Sequence, residues 1–381
     1  MVSSTAATRR RQRDELVRQL GRTDTAAEIF TVTSSRLRRL VPFAAAAWAA
    51  TDPATGLPTA PTVADGLSIT AAECSEYWRR EFIVDDVNRF RDLARATRPA
   101  AALQATVGDG ERGARYRRGV RRFGFEDELR AVFVAGGAPW GTLTLWRGED
   151  QPAFTSAETD LVASLSAPIG EALRLGARPT DEVAELVRGE PPGLMTFDLG
   201  GNLVAADEQA RRWLAELPAD EGRRIGDGTD LPMWMRVLVI RAGTATHGTG
   251  DGTARARVRL DRGSWLICHA SCLRDDDGDV TSIVVAIEPA APAEIAPLIV
   301  AAYDLSRREE EITCLVARGL GTADIAAALF VSAHTVRDHL KTIFHKVEVS
   351  SRGELVAKLF ADHYEPVHLA HGHVVTEIPL S

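Results

Sequence analysis

No stretch of this 381-residue chain approaches the roughly 18 consecutive apolar residues that a helix needs to span a bilayer. Arg9, Arg10, Arg11 and Arg13 have no apolar segment behind them, so the N-terminus does not read as an export signal. Cysteine is scarce: Cys74, Cys268, Cys272 and Cys314 lack metal-ligand spacing. Cys268 and Cys272 share a strand-like run that holds them about 13 Å apart, too far for a disulfide. Buried, reduced thiols are expected, as in a soluble cytoplasmic protein with no membrane partner. Positive charge is not in excess either. The net charge is −8, so affinity for a polyanion would have to come from a local strip.

Chemistry-bearing patterns are also missing. No G-x-x-x-x-G-K-[ST] run occurs, which excludes a P-loop ATPase. No receiver pattern of acidic pair, strand-end Asp and later Lys opens the chain, so phosphorelay control is not expected. No nucleophile elbow, Ser/His/Asp set or metal cluster emerges, so we expect no catalytic residue, no metal, no cofactor and no enzyme. The acidic loop Asp275–Asp279 has its Gly fourth rather than sixth and no Glu at twelfth, which makes it a hairpin turn and not a calcium loop.

What the chain does have is concentrated between residues 304 and 355. Ser306 and Glu309 form a capping box, Ile312, Leu315 and Val316 give an apolar helical stripe, and Gly319 ends it. Thr322 is expected to cap a second helix with Ile325, Ala326 and Leu329 inward, and Ser332 a third. Ser351 and Glu354 open a fourth. In the third helix, Val336, Leu340, Ile343 and Val347 fall on one stripe, while His334, Arg337, Asp338, Lys341 and His345 cluster opposite. A helix pinned by one stripe with donors on the other can lie in a major groove. The competing reading is a solvated amphipathic helix, and spacing alone does not separate the two.

The residues themselves go further. The opening Leu305-Ser306-Arg307-Arg308-Glu309-Glu310-Glu311, the run Ala317 through Ala326, the set Ser332, Thr335, Val336, Arg337, His339 and Leu340, and the ending Lys346, Val347, Val349, Ser351 and Arg352 follow one another in order. This segment resembles the LuxR-type helix-turn-helix family of bacterial transcription factors. It departs from the pattern at Asp324, where a Glu is usual, and at Glu348, where a Gly often follows the recognition helix; that substitution weakens the expected C-cap. The resemblance implies contacts with double-stranded DNA through the major groove. The residues implied are Thr322, Ser332, His334, Thr335, Arg337, Asp338, Lys341, His345, Lys346 and Arg352. Arg337, Asp338 and Lys341 would read bases, while Ser332, Thr335 and Lys346 would position the backbone. It also implies a homodimer, paired through a fourth helix at 351–362 with Leu355, Val356 and Leu359 as its strip, and RNA polymerase as a further partner.

Upstream, residues 1–23 read as a polar, Arg-rich segment with a short helical piece near Leu16, Val17 and Leu20. Residues 24–175 read as α+β: a helix at Ala26–Leu40, a strand at Phe43–Ala50, an amphipathic helix at Tyr77–Phe90 and strands Glu128–Val134 and Trp140–Trp146. A closing helix capped by Thr155 and Glu158 carries Leu161, Leu165, Ile169 and Leu173, a second candidate dimer seam. The stretch from Leu129 to Arg174 resembles the end of a GAF domain, which implies a sensor whose cavity could be lined by Trp48, Trp78, Phe82 and Trp140. Trp78, Phe82, Asp85 and Asp86 also resemble the aromatic–acid cluster of autoinducer pockets, although the Pro expected beside the Asp is Val87. Residues 181–290 resemble a PAS domain in strand order. Their run Ala254–Leu260 alternates with Arg255, Arg257 and Arg259 expected outward. Residues 291–300 then form a Pro-marked linker, 301–365 the helix-turn-helix domain, and 366–381 a tail.

The expected architecture is thus multidomain α+β: two α/β sensor-type domains, GAF-like and PAS-like, before an all-α four-helix LuxR-type domain. The expected function is a one-component, sequence-specific transcriptional regulator answering a small-molecule effector or a protein signal. The alternatives are a signalling protein acting mainly by protein–protein interaction, an autoinducer receptor, or a sigma-factor-like role, for which the upstream polymerase-binding helices are missing.

Overall fold

The computed structural model describes residues 2–359, apart from 24, 68–69, 84–86, 108–118, 179–189, 218–230, 249–251, 261–263, 291–293, 296–297, 299–300, 304 and 357. The chain divides into two compact units, 1–290 with 301–304, and 291–300 with 305–381. Among the described residues, no helix is long and apolar enough to cross a membrane.

The first unit holds two five-stranded antiparallel sheets. In chain order its elements are α1 (Val2–Leu20), α2 (Ala26–Leu40), β1 (Ala45–Thr51), β2 (Pro58–Asp65), α3 (Ala71–Ile83), α4 (Phe90–Leu93), β3 (Ala100–Ala102), α5 (Leu103–Thr106), β4 (Asp127–Ala135), β5 (Ala138–Arg147), α6 (Ser156–Ser164) and α7 (Ser166–Gly176). Then come β6 (Gly193–Phe197), β7 (Leu203–Ala206), α8 (Glu208–Glu216), α9 (Met233–Gly243), β8 (Thr253–Arg259), β9 (Trp265–Arg274) and β10 (Val280–Pro289). The sheets run β2-β1-β5-β4-β3 and β7-β6-β10-β9-β8. Counted within each sheet, both have the strand order 2-1-5-4-3.

Alternation along β1 divides the first sheet's two faces. Trp48 points to one face, where its ring stacks between Phe30 at 5.7 Å and Phe133 at 5.8 Å. Its indole Nε1 donates to Ser34 Oγ at 3.2 Å. That face is covered by α2 and α7. A Cβ placed on Gly170 would come within 2.8 Å of the Val134 backbone, so only glycine lets α7 sit this close to β4. Leu16 and Leu20 bury α1 against the same core. The N-terminal helix is therefore much longer than the short piece expected, and it is docked.

Several elements depart from the sequence reading for identifiable reasons. The closing helix is two helices, α6 and α7, meeting at Leu165. Thr155 and Glu158 cap the first as expected. Pro168 has no N–H for the Ser164 carbonyl, which accepts instead from Arg13 at 3.1 Å. The helix expected over Tyr77–Phe90 stops at Ile83, and Asn88 adopts a left-handed φ of 56° just before α4.

Helix α9 escapes a periodicity reading because apolar residues occupy most of its circumference, broken only by Arg236 and Arg241, so it shows little amphipathic period. It is buried between the two sheets' cores. Trp234, Met235 and Leu238 join the second sheet's core, while Val237 and Ile240 pack with Trp78 and Phe90.

The outward arginine face of β8 is a correction. Ala254, Ala256 and Val258 do face the second core, but the opposite face is not solvent. Arg257 is 1 % exposed and its Nη1 lies 2.9 Å from both carboxylate oxygens of Asp52 in the first sheet's β1–β2 turn. Period-two alternation identifies which residues share a face but cannot tell what covers it.

The second unit contains α10 (Arg307–Ala317), α11 (Thr322–Ala328), α12 (Ala333–Val347) and α13 (Arg352–Val356). Most of 291–300 and all of 366–381 lie outside the described residues.

Candidate functional site

The four short helices fix one another through their caps. Ser306 Oγ accepts from the Glu309 N–H at 3.3 Å, and the Glu309 carboxylate accepts from the Ser306 N–H at 2.7 Å. The same carboxylate takes a 2.7 Å ion pair from Lys346 at the far end of α12. Burial pushes Glu309 up, but Lys346 and the two Ser306 hydrogen bonds outweigh it and hold the carboxyl below its ordinary 4.5. Gly319, at φ 82°, ends α10, with the Leu320 N–H donating to Leu315 O at 3.1 Å.

Helix α11 is capped by Gly321 rather than Thr322, with the Gly321 N–H donating to the Asp324 carboxylate at 3.2 Å. Asp324, shorter than the usual Glu, still reaches back. Thr322 instead ties α11 to the fourth helix. Its hydroxyl accepts from Arg352 Nη2 at 2.8 Å, while Arg352 Nη1 donates to Leu320 O at 2.9 Å.

On α12, Ser332 caps the helix by accepting from the Thr335 N–H at 3.0 Å, and the two hydroxyls lie 2.9 Å apart. Val336, Leu340, Ile343 and Val347 are buried, the stripe read from sequence. Ser332, His334, Arg337, Asp338, Lys341 and His345 are exposed or half-buried on the other side, and Thr335 is half-buried. Asp338 sits between His334 Nε2 at 3.6 Å and Lys341 Nζ at 3.9 Å, exposed pairs that solvent screens. Among the described residues Arg337 is exposed and has no ion pair or hydrogen bond. All three lysines of the chain, Lys341, Lys346 and Lys358, fall in this unit.

The ten residues singled out from sequence therefore separate. Seven gather on or at the start of α12's outer face: Ser332, His334, Thr335, Arg337, Asp338, Lys341 and His345. The other three, Thr322, Lys346 and Arg352, have polar ends engaged inside the unit.

Glu348 closes α12 in the left-handed region at φ 59°, ψ 49°, with the Val349 N–H donating to Phe344 O at 3.0 Å. The helix keeps its final turn without a glycine. Of the apolar strip expected to pair two copies, Leu355 and Leu359 are 0 % and 1 % exposed, buried within their own chain, while Val356 is half-buried. Of the second candidate seam, Leu165, Ile169 and Leu173 are likewise buried in the first sheet's core, with Leu161 partly buried against it. Apolar helical stripes mark burial, and here the chain itself supplies it.

The four aromatics expected around a cavity also divide. Trp48 and Trp140 belong to the core under α2 and α7, whereas Trp78 and Phe82 pack on the sheet's other face. A cavity does lie on that other face, between β1, β5 and α3. Its lining includes Trp48 and Trp78 but not Phe82 or Trp140. Asp85 and Asp86 lie outside the described residues. The residues that sequence reasoning misses include Ala47, Ala49, Thr142 and Thr144, small side chains opposite Trp48 in parity, and the aromatics Tyr77, Phe125 and Trp146.

Beside the cavity runs a buried charge cluster. Arg130 pairs with Glu81 at 2.9 Å and with Glu128, and Tyr77 OH lies 3.4 Å from Glu128 and 3.1 Å from Thr144 Oγ1. Burial pushes Glu81 up to about 7, against the pull of Arg130 and the Phe90 N–H.

Comparison with known proteins agrees with the geometry of the second unit. Residues 304–359 match the family described as GerE, bacterial regulatory proteins, luxR family. The chain is 42% identical over 62 residues to the uncharacterized transcriptional regulatory protein YhcZ of Bacillus subtilis, covering 16% of this chain and 28% of that protein. It is 50% identical over 52 residues to the oxygen regulatory protein NreC of Staphylococcus haemolyticus, covering 14% and 24%. The chain thus spans about a quarter of the length of these curated relatives. The crystal structure of Escherichia coli SdiA aligns with 93% of this chain and 98% of that one, at 12% identity and a TM-score of 0.34. The match and the four-helix geometry together identify a luxR-type helix-turn-helix domain at the C-terminus of this chain.

Proposed function

We propose that the chain is a one-component, sequence-specific DNA-binding transcriptional regulator. Helix α12 would enter the major groove, and a small-molecule or protein signal would act through the upstream α/β modules. The observation that carries this is the outer face of α12, where Arg337, Asp338 and Lys341 stand opposite a fully buried stripe. A guanidinium can bridge guanine O6 and N7, and a carboxylate can accept from a cytosine amino group. Ser332 and Thr335, at the helix start, are placed to meet phosphates with the positive end of the helix dipole.

A net charge of −8 leaves one such helix with few phosphate contacts, which favours two copies acting on a two-fold-related site. The two upstream sheets share the strand order 2-1-5-4-3. That supports a tandem of related modules, GAF-like then PAS-like, in the role of receiver. Capture of fragmented genomic DNA by the full-length chain, followed by sequencing, tests the function. Enrichment of one recurrent two-fold motif is expected; recovery of random fragments would count against it.

A further inference from the structure

The cavity of the first sheet has a composition unlike the rest of the chain. Aromatics make up 6% of all residues, yet Tyr77, Trp78, Phe90, Phe123, Phe125 and Trp146 all line this one space. Phe125 and Trp146 stack at 5.5 Å, and Trp78 and Phe90 lie 5.9 Å apart. The floor is made by the small side chains of Ala47, Ala49, Thr142 and Thr144, paired across β1 and β5 as Ala49 with Thr142 and Ala47 with Thr144. Thr142 is 5 % exposed, and its hydroxyl has no hydrogen-bond partner among the described residues.

We infer that this cavity binds a small neutral molecule built on one aromatic ring and carrying one hydrogen-bonding group, which Thr142 meets. The inference rests on the signal-controlled reading above and names the ligand class of that signal. Ring-on-ring contact favours an aromatic guest over an aliphatic one of equal size. An anion is disfavoured because the neighbouring cation, Arg130, is already held between the carboxylates of Glu81 and Glu128. A cation gains little from the rim carboxylate Glu73, which accepts from the Thr70 N–H and hydroxyl at 2.7 and 2.9 Å.

Size sets the limit at one ring. The cavity measures about 70 Å³, against roughly 150 Å³ for an engineered apolar cavity that admits benzene. Entry therefore requires the rim to yield. Met233, at the start of α9, is an unbranched lining side chain with the rotamers to do so. Because α9 packs into the cores of both sheets, a ligand that moves Met233 presses on the element the two modules share.

The test titrates full-length protein with phenol, benzoate and cyclohexanol, read by ligand-observed NMR. Phenol should bind, and benzoate and cyclohexanol should bind at least about tenfold more weakly. Thr142→Val, which keeps the shape and removes the hydroxyl, should weaken phenol by about threefold to tenfold. Ala49→Leu, which fills the floor, should abolish binding; if that variant does not fold, Thr142→Val decides alone. Absence of phenol binding at millimolar concentration, equal binding of benzoate, or undiminished binding by Thr142→Val would overturn the inference. DNA affinity is measured in parallel. Phenol bound with DNA affinity unmoved supports the cavity assignment and contradicts signal control. DNA affinity shifted by phenol that Thr142→Val binds as well as wild type overturns this cavity and leaves signal control standing.

Discussion

Asp52 and Arg257, 205 residues apart in sequence, form an ion pair that is almost completely withdrawn from solvent. Asp52 also accepts from the Arg257 N–H at 3.2 Å and the Ala54 N–H at 2.9 Å, and Thr59 donates to Arg257 O at 2.6 Å. One carboxylate thus holds the β1–β2 turn and clamps it to the edge strand β8 of the second sheet. Removing one member of such a pair strands the other charge in a dry site. Asp52→Ala should lower stability by about 3–5 kcal/mol, measured by urea unfolding of the full-length chain. A loss below about 1 kcal/mol, the range of a surface pair, would mean that the pair is open to water.

The helix stops of the second unit give a matched pair of predictions. Gly319→Ala should cost about 1 kcal/mol from the left-handed backbone alone, because a Cβ there would meet nothing within 4 Å. Glu348→Gly should do the opposite and stabilise by about 1 kcal/mol, since a side chain now occupies that region. Thermal unfolding should show the two shifts in opposite directions.

Glu81 makes stability depend on pH in an identifiable window. Its folded carboxyl is raised to about 7 from an ordinary 4.5, so the folded state holds its proton more tightly. The contribution is complete below 4.5 and is lost as pH rises through about 7. Glu81→Gln should therefore flatten the fall in unfolding free energy between those limits. An unchanged slope would assign the titration elsewhere.

Lys346 and Glu309 work in the other direction. Glu309's carboxyl is held below 4.5, so this pair stabilises above that value and its contribution is lost as pH falls. Lys346→Ala should lower the melting temperature of the second unit at neutral pH, with the difference from wild type shrinking in acid. A uniform loss of DNA affinity at unchanged melting temperature would instead make Lys346 a phosphate contact.

Legibility follows the physical signals. The buried stripe of α12 and the caps Ser306, Ser332 and Thr155 are readable because each depends on residues within a turn of one another. The Gly136-Gly137 hairpin is readable for the same reason, and both glycines adopt the positive φ that its turn requires. What is not legible depends on distant partners. Nothing near Arg257 in sequence announces Asp52, and nothing near Leu355 or Leu359 says that their own chain covers them. The cavity is missed by one residue of parity: attention to large side chains selects Trp48, whereas its small neighbours Ala47 and Ala49 face the open space. Lys346 and Arg352 are basic and lie on or near α12, but charge alone cannot distinguish an internal strut from a DNA contact.

The most direct measurement is equilibrium binding of a captured DNA site, and of its single-base variants, by the full-length wild type and Arg337→Ala. If the proposed placement of α12 holds, with the exposed Arg337 guanidinium reading a base edge, Arg337→Ala should lose about 1–3 kcal/mol at the preferred site and relax the preference at one base pair. Equal affinity and unchanged preference in the two proteins would contradict the placement of that face in the major groove.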